Sequence, residues 1–581
     1  MYHLKYLNQF LWKYKKLLIT GTVFIIIANL FALYPAEFVR KAFDEVLYSI
    51  KNGTNLSSEI QYTVLKYSGL IISFAILKGI FMFFMRQTII VMSRKIEFDL
   101  KNKIYQKYQK LSMSFYKSNK TGDLMNRISE DVSRVRMYLG PALMYAINIS
   151  VLFYLVITKM ISINPTLTLY VLLPLPILAI TVYFVSKKIN ERSEKVQKQL
   201  SEITTISQET FSGIKIIKSF GNENNSWDLF LKSCKKYTQT QIDLVKIEAY
   251  FFPLIITMIG ISTIFTIYIG GIESYKNNIT TGNIAEFIIY INMLAWPVAS
   301  IGWITSIVQR AAASQQRINE FLMIEPEIKN TKTKASRING DINFKNVSLI
   351  YKNTNIKALN NVSFTIKECS ILGIFGKTGS GKSSIANLIC RLYDVNQGKI
   401  SFNNTNIKDL NLFSLRSSIG YIPQDGYLFS GSIKDNIGFG SNKINKTNVL
   451  KAAKQAEILE EIETFTHHLN TIIGERGVKL SGGQKQRLAI ARAFYQNPKI
   501  YIFDDCLSAI DAIKEQKIIK NLKKESKGKI SILISHRIAT IKNADHIIVL
   551  DKGKIIEQGT HQSLIKTKGS YYEIHKNQNS S

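Results

Sequence analysis

Six apolar segments dominate the first half of the chain, at roughly 17–39, 64–92, 137–160, 165–185, 246–272 and 283–308. Each is long enough to cross about 30 Å of hydrocarbon as a helix. Lipid offers no water to backbone N–H and C=O groups, so consecutive spans of this length must satisfy those groups internally as helices. A six-helix transmembrane region is therefore predicted. The first segment follows Lys13, Lys15 and Lys16, the basic front of a signal peptide. It is too long for one, has no clear small-residue cleavage site and precedes five more spans, so it reads as an uncleaved first span.

The connections set the orientation. The 93–136 segment carries Arg94, Lys95, Lys101, Lys103, Lys107, Lys110, Lys117, Lys120, Arg127, Arg134 and Arg136. The 186–245 segment is similarly basic, from Lys187 and Lys188 to Lys235 and Lys236, whereas 273–282 has only Lys276 and 161–164 has none. The positive-inside rule puts both long basic segments and both termini in the cytoplasm. Helical spacing persists in them (Ile203 and Ile206; Ile214, Ile216 and Ile217), so the helices are expected to run beyond the bilayer and turn there. Much of the net charge of +33, from 75 basic and 42 acidic residues, is thereby assigned to cytoplasmic loops rather than to a nucleic-acid surface. Within or near the spans lie Glu37, Lys78, Arg86 and Glu286. Glu37, Arg86 and Glu286 are read as snorkelling to an interface, and Lys78 as the candidate for a cavity. Cys234, Cys369, Cys390 and Cys506 form no metal spacing or disulfide framework, which fits a reducing compartment.

After a polar, aperiodic stretch from Glu325 to Ser336, short β-rich runs alternate with helical ones from about residue 340, the pattern of an α/β domain. Within it, Gly376-Lys377-Thr378-Gly379-Ser380-Gly381-Lys382-Ser383 separates the apolar run 370–375 from a helical run beginning at Ser384. Strand, glycine-rich loop and helix in this spacing form a phosphate-binding loop. Its backbone N–H groups turn inward on phosphate oxygens, and the helix dipole points at the same charge. Lys382 is expected to reach the β- and γ-phosphates, and Ser383 to hold Mg²⁺. Phe503-Asp504-Asp505 ends the apolar strand 500–502, and Asp504 lies where Mg²⁺ needs an oxygen ligand. Leu480-Ser481-Gly482-Gly483-Gln484 supplies a second anion-binding helix start, with the helix expected from Lys485. One nucleotide does not need two phosphate caps on one domain, whereas two copies facing head to tail would each contribute one.

Together these motifs resemble an ABC transporter half of the exporter type, over essentially the whole chain. The run Leu480–Gln484 matches the family signature. The resemblance implies nucleotide contacts at Tyr351 (stacking on adenine), Gly376, Thr378, Gly379, Ser380, Gly381, Lys382, Ser383, Ser384, Gln424, Ser481, Gly482, Gly483, Gln484 and Asp511. It implies Mg²⁺ at Ser383, Gln424 and Asp504, and catalytic roles for Asp505, His536 and Gln424. Gly474-Glu475-Arg476-Gly477 is similar to the coupling segment before the signature, and Phe115–Gly122 and Phe211–Gly221 to the cytoplasmic turns that dock on nucleotide domains. One position departs from the pattern. The general base is usually glutamate, and here it is Asp505, whose carboxylate falls about 1 Å short, a displacement worth ~10²-fold in rate. The same change resembles one subunit of bacterial heterodimeric multidrug exporters. A homodimer that tolerates Asp505 is the other reading.

The expected organisation is a transmembrane domain at 1–325, a linker at 326–339 and a nucleotide-binding domain at 340–581. The expected function is ATP-driven export of a hydrophobic or amphipathic substrate across the cytoplasmic membrane, with ATP and Mg²⁺ as cofactors, a second half-transporter as partner and no nucleic acid. A lipid or peptide exporter working as a homodimer, and a soluble ABC ATPase acting on nucleic acid, are the alternatives.

Overall fold

The computed structural model describes residues 2–51, 57–330, 332–474 and 480–579. It comprises two compact units, Met1–Tyr108 with Gly122–Ile324, and Gln109–Thr121 with Glu325–Ser581.

The first unit is helical. Among the described residues, six helices are long and apolar enough to cross a membrane: Lys15–Ile50, Ile60–Lys110, Thr121–Ile163, Pro165–Ser212, Glu223–Tyr275 and Thr281–Met323. Each contains one expected span and most run well past it, in line with the helical spacing of the basic segments. Local chemistry sets the breaks. Asn164 ends one helix in extended backbone and caps the next, its side chain accepting from Leu167 N at 2.9 Å, with Pro165 at the first helical position. Thr280 and Asn283 form a reciprocal capping box that starts the last helix.

The acidic residues of the spans behave differently from expectation. Glu286 does not snorkel, because its side chain is fully buried and its carboxylate lies 3.4 Å from Arg40 Nε. Tyr290 Oη donates to it at 2.7 Å and Asn283 Nδ2 at 3.3 Å. Glu37 pairs with Lys41 at 3.0 Å and Lys159 at 3.2 Å. One turn on from Arg40, Asp44 accepts from Thr280 Oγ1 at 2.9 Å and Gly282 N at 3.0 Å. A Cβ on Gly282 would fall 2.6 Å from the Arg40 carbonyl, so this crossing requires glycine. Unpaired charges in a low-dielectric interior are expensive, and here they pay off only as partners across helices. Arg86 is exposed and Lys78 half-buried.

The second unit is built on two sheets. Six strands lie in the order Lys554–Gly559, His546–Asp551, Ile371–Gly376, Ile530–Ser535, Ile500–Asp504 and Ile419–Ile422. All pairings are parallel except the first, which is antiparallel. The inner strands are rich in Ile, Leu and Phe because both faces are buried, one under helices and the other under the helix Lys382–Ile389 and a second sheet. A four-stranded antiparallel sheet carries Ile342–Tyr351, Ile356–Ile366, Gln397–Phe402 and Thr405–Asn406.

Beside the larger sheet, Glu461 ties the helix Gly482–Gln496 to its surroundings. It accepts from Arg487 at 2.7 and 2.9 Å, Lys514 Nζ at 2.6 Å and Gln484 Nε2 at 3.0 Å. Burial opposes its ionisation, but these donors outweigh it and hold the carboxyl down at about 2. A carboxyl depressed on folding adds stability that is complete above its unfolded value of 4.5 and is lost as pH falls toward 2. Glu461→Gln is expected to lower stability by about 1–3 kcal/mol at pH 7. Thermal unfolding of the purified protein should show the gap between wild type and variant closing as pH drops below 4.5.

Candidate nucleotide site

The phosphate loop leaves the strand Ile371–Gly376, inside the larger sheet, and enters the helix Lys382–Ile389. Gly379 and Gly381 have φ of 81° and 102°, and a Cβ at Gly381 would lie 2.4 Å from the Ala358 carbonyl. Only glycine takes that path. Lys382 Nζ donates to the carbonyls of Gly376 and Lys377, both at 2.8 Å, folding over its own loop. Burial lowers its pKa, while Asp505 and Asp504 pull it back up. Ser380 Oγ is buried within the loop without a hydrogen-bond partner, an orphaned polar atom in the phosphate-loop stretch.

Asp504 ends its strand with both carboxylate oxygens engaged. Ser383 Oγ donates to one at 2.8 Å and Tyr421 Oη to the other at 3.1 Å. Burial pushes its pKa up, and these two hydrogen bonds work against that. In the sequence Tyr421 is one apolar-strand residue among many, with no spacing that marks it. Ser383 and Asp504 fit the donor set of Mg²⁺, hard oxygens side by side. Among the described residues no three His, Cys, Asp or Glu converge on a metal position, so an ion here would need the nucleotide's own phosphate oxygens as well.

Register brings Asp505 and His536 together. Asp504 pairs with Ile534 across parallel strands, so the residues just beyond the two strand ends emerge side by side. His536 Nδ1 lies 2.9 and 3.0 Å from the Asp505 carboxylate oxygens. Asp505 is left-handed, φ 49°, and its N–H donates to the Ile534 carbonyl at 2.9 Å. Tyr351 approaches from the other sheet, its Oη 2.9 Å from Ser384 Oγ.

The signature stretch begins its helix earlier than expected, at Gly482 rather than Lys485. The reason is a capping box: Gln484 N donates to Ser481 Oγ at 3.3 Å, and Ser481 N to Gln484 Oε1 at 2.9 Å. A Cβ on Gly483 would sit 2.9 Å from the Ala509 carbonyl. Buried Gln486, absent from the sequence reading, donates to the Gln424 carbonyl at 3.3 Å and accepts from Ala509 N at 3.2 Å. It thereby joins the segments of Gln424 and Asp511. Asp511 caps the helix Ala512–Glu525 through Lys514 N at 2.9 Å, and the Gln424 side chain is exposed. Among the described residues, no hydrogen bond links Ser481–Gln484 to the loop Gly376–Ser383. Glu475, Arg476 and Gly477 lie outside the described residues. The two candidate docking turns contain short helices, Met113–Ser118 and Ile214–Ser219.

The first unit holds a cavity of about 510 Å³ lined by Tyr145, Phe251, Trp296, Trp303 and Arg310 among others. Tyr145 meets Trp303 edge to face at 5.6 Å. Four helices contribute to it, which is why no sequence spacing announces it.

Residues 18–298 match the ABC transporter transmembrane region, and residues 359–508 match the ABC transporter family. The chain is 33% identical to the multidrug resistance-like ATP-binding protein MdlA of Buchnera aphidicola subsp. Schizaphis graminum, over 98% of each chain. It is 31% identical to the ATP-dependent lipid A-core flippase of Syntrophus aciditrophicus, over 87% of this chain and 84% of that one. Its fold is similar to that of a bacterial Atm1-family ABC exporter with ATP bound, with a TM-score of 0.78 over 97% and 98% of the two chains at 22% identity. With a multi-pass transmembrane region and an ATPase domain on one polypeptide, the chain belongs to the ABC transporter family and is an ATP-hydrolysing membrane transporter of the exporter fold.

Proposed function

We propose that two half-transporters of this kind pair to export a hydrophobic or amphipathic compound, with residues 1–325 as the membrane domain, 326–339 as linker and 340–581 as the nucleotide-binding domain. The observation that carries this reading is that the phosphate loop, Asp504 and the Asp505–His536 pair form one cluster, while the signature at Ser481–Gln484 has no bond to it. A signature that does not serve its own loop is available to a partner's. The basic 93–136 and 186–245 segments support a cytoplasmic placement of both termini and of the nucleotide domain.

In this reading the loop N–H groups, Lys382 and Ser380 hold the triphosphate, and Tyr351 carries the adenine. Ser383, Asp504 and Gln424 would hold Mg²⁺, which when bound neutralises phosphate charge and orients the γ-phosphate. Asp505 accepts a proton from the attacking water, and His536 orients Asp505 and contacts the γ-phosphate. The sandwiched state binds ATP better than the open one, so ATP shifts the helices and loss of the γ-phosphate resets them. The printed functions of the relatives, multidrug resistance and lipid A-core flipping, support an amphipathic cargo. The aromatic cavity with Arg310 is the candidate site for it.

Asp505 supports a heterodimer. Its short arm is engaged with His536 at 2.9 Å, which supports a site that binds nucleotide and turns it over slowly. The intact signature would complete a partner site with a glutamate base. A homodimer in which Asp505 is a competent base is the second reading, supported by the retained His536.

Lys382→Ala is expected to abolish ATP-driven transport in proteoliposomes, and wild-type transport by the variant would remove Lys382 from its assigned role. Asp505→Glu should raise hydrolysis in the chain's own site by about 10–100-fold. Full ATP-driven transport by the purified chain alone, unchanged by that substitution, would favour the homodimer. At Gly122 and Gly213, in the two proposed docking turns, bulky substitutions should leave ATPase activity while lowering transport. A proportional fall in both would count against that placement.

A further inference from the structure

The Tyr351 ring already has an occupant. Lys117 Nζ lies 5.2 Å from its centroid and 5.7 Å from that of Tyr393. The two rings meet edge to face at 5.0 Å and 83°. Tyr393 Oη is buried without a hydrogen-bond partner. Lys117, Tyr351 and Tyr393 line one cavity of about 550 Å³, together with Asn353 and Ser114. Lys117 itself is exposed, and among the described residues the two rings are the contacts of its ammonium.

The short helix Met113–Ser118 that carries Lys117 is anchored at the same place. Ser114 Oγ donates to Glu327 at 2.6 Å, and Asn353 Nδ2 donates to the Ser114 carbonyl at 3.0 Å. Glu327 also pairs with Lys352 at 3.1 Å. Asn353 and Lys352 directly follow Tyr351, so the aromatic platform and the Lys117 helix share one mount.

We propose that Lys117 is a specificity-determining residue of the nucleotide site, covering the Tyr351 face on which the nucleobase stacks until the base displaces it. The inference rests on the assignment of Tyr351 as the base platform. A lysine over a half-buried ring is a weaker partner than a stacked base, so the exchange is favourable overall but subtracts from base affinity. Asn353 on the cavity lining, and the buried, unpartnered Tyr393 hydroxyl behind the rings, are polar groups beside the platform for the edge of a purine. Displacement also releases one tie on the 109–121 segment, so arrival of the base, distinct from arrival of the phosphates, is felt there.

The test compares two probes on the full-length chain in detergent, without Mg²⁺ to prevent turnover: ATP, and inorganic tripolyphosphate, which lacks a base. Calorimetric titration of Lys117→Ala should show ATP binding tightened about 3–10-fold and tripolyphosphate binding unchanged. Lys117→Arg, which keeps a cation over the ring, should stay near wild type. Unchanged or weakened ATP binding in Lys117→Ala, or an equal change for both probes, overturns the proposal. Tyr351→Ala separates the two levels. If it weakens ATP but not tripolyphosphate, the platform stands and the Lys117 result judges this inference alone. If it leaves the ratio of the two affinities unchanged, the assignment of Tyr351 fails and the inference with it.

Discussion

Parallel pairing of three strands, Ile371–Gly376, Ile530–Ser535 and Ile500–Asp504, is the constraint on which the nucleotide site depends. Parallel strands end at one edge of their sheet, and residues that leave the strands there must emerge together. The phosphate loop, Asp504 with Asp505, and His536 all do so. The 2.8 Å bond from Ser383 to Asp504 and the 2.9 Å approach of His536 to Asp505 follow from that register. A slip of one residue would turn Asp504 away from the loop and break both. The buried Ile, Leu and Phe side chains of these strands thus do positional work, because they make the register unique.

Around this edge, close backbone approach takes the place of long side chains. Gly381 passes the Ala358 carbonyl and Gly483 passes the Ala509 carbonyl at distances no Cβ allows. Gln486 then bonds to the Gln424 carbonyl and the Ala509 N–H from one buried side chain. The start of the signature helix, the glutamine segment and the stretch before Asp511 are therefore tied together.

In the helical unit, the same logic appears with charge. Glu286 is buried because Arg40, Tyr290 and Asn283 answer it, and Asp44 is useful because the last helix begins with unsatisfied N–H groups beside it. These contacts bind the first helix to the last at one end. At the level of Trp303 and Arg310 the helices instead leave a cavity with aromatic walls. Rigid polar pairing and an adaptable aromatic cavity are thus kept at separate levels of the bundle.

The sequence by itself determined the six spans, the α/β domain, the phosphate loop, the signature and the aspartate pair, because each is written in local periodicity or in fixed spacing along the chain. Hydrophobic length forces helices in lipid, and glycine spacing forces an anion-binding loop, whatever the rest of the fold does. Only the tertiary structure decided what is non-local. The partnership of Asp505 with His536 depends on register between strands 31 residues apart in sequence, and the bonds of Gln486 and Tyr421 on elements 62 and 83 residues away. The helix starts at Gly482 and not at Lys485 because the Ser481–Gln484 box overrides the weak local preference of glycine against helix. The burial of Glu286 beside Arg40 is non-local too, because a chain position gives depth in the bilayer but not which neighbours wait there. Pairwise contacts between distant segments carry no periodicity, and so only the folded chain could supply them.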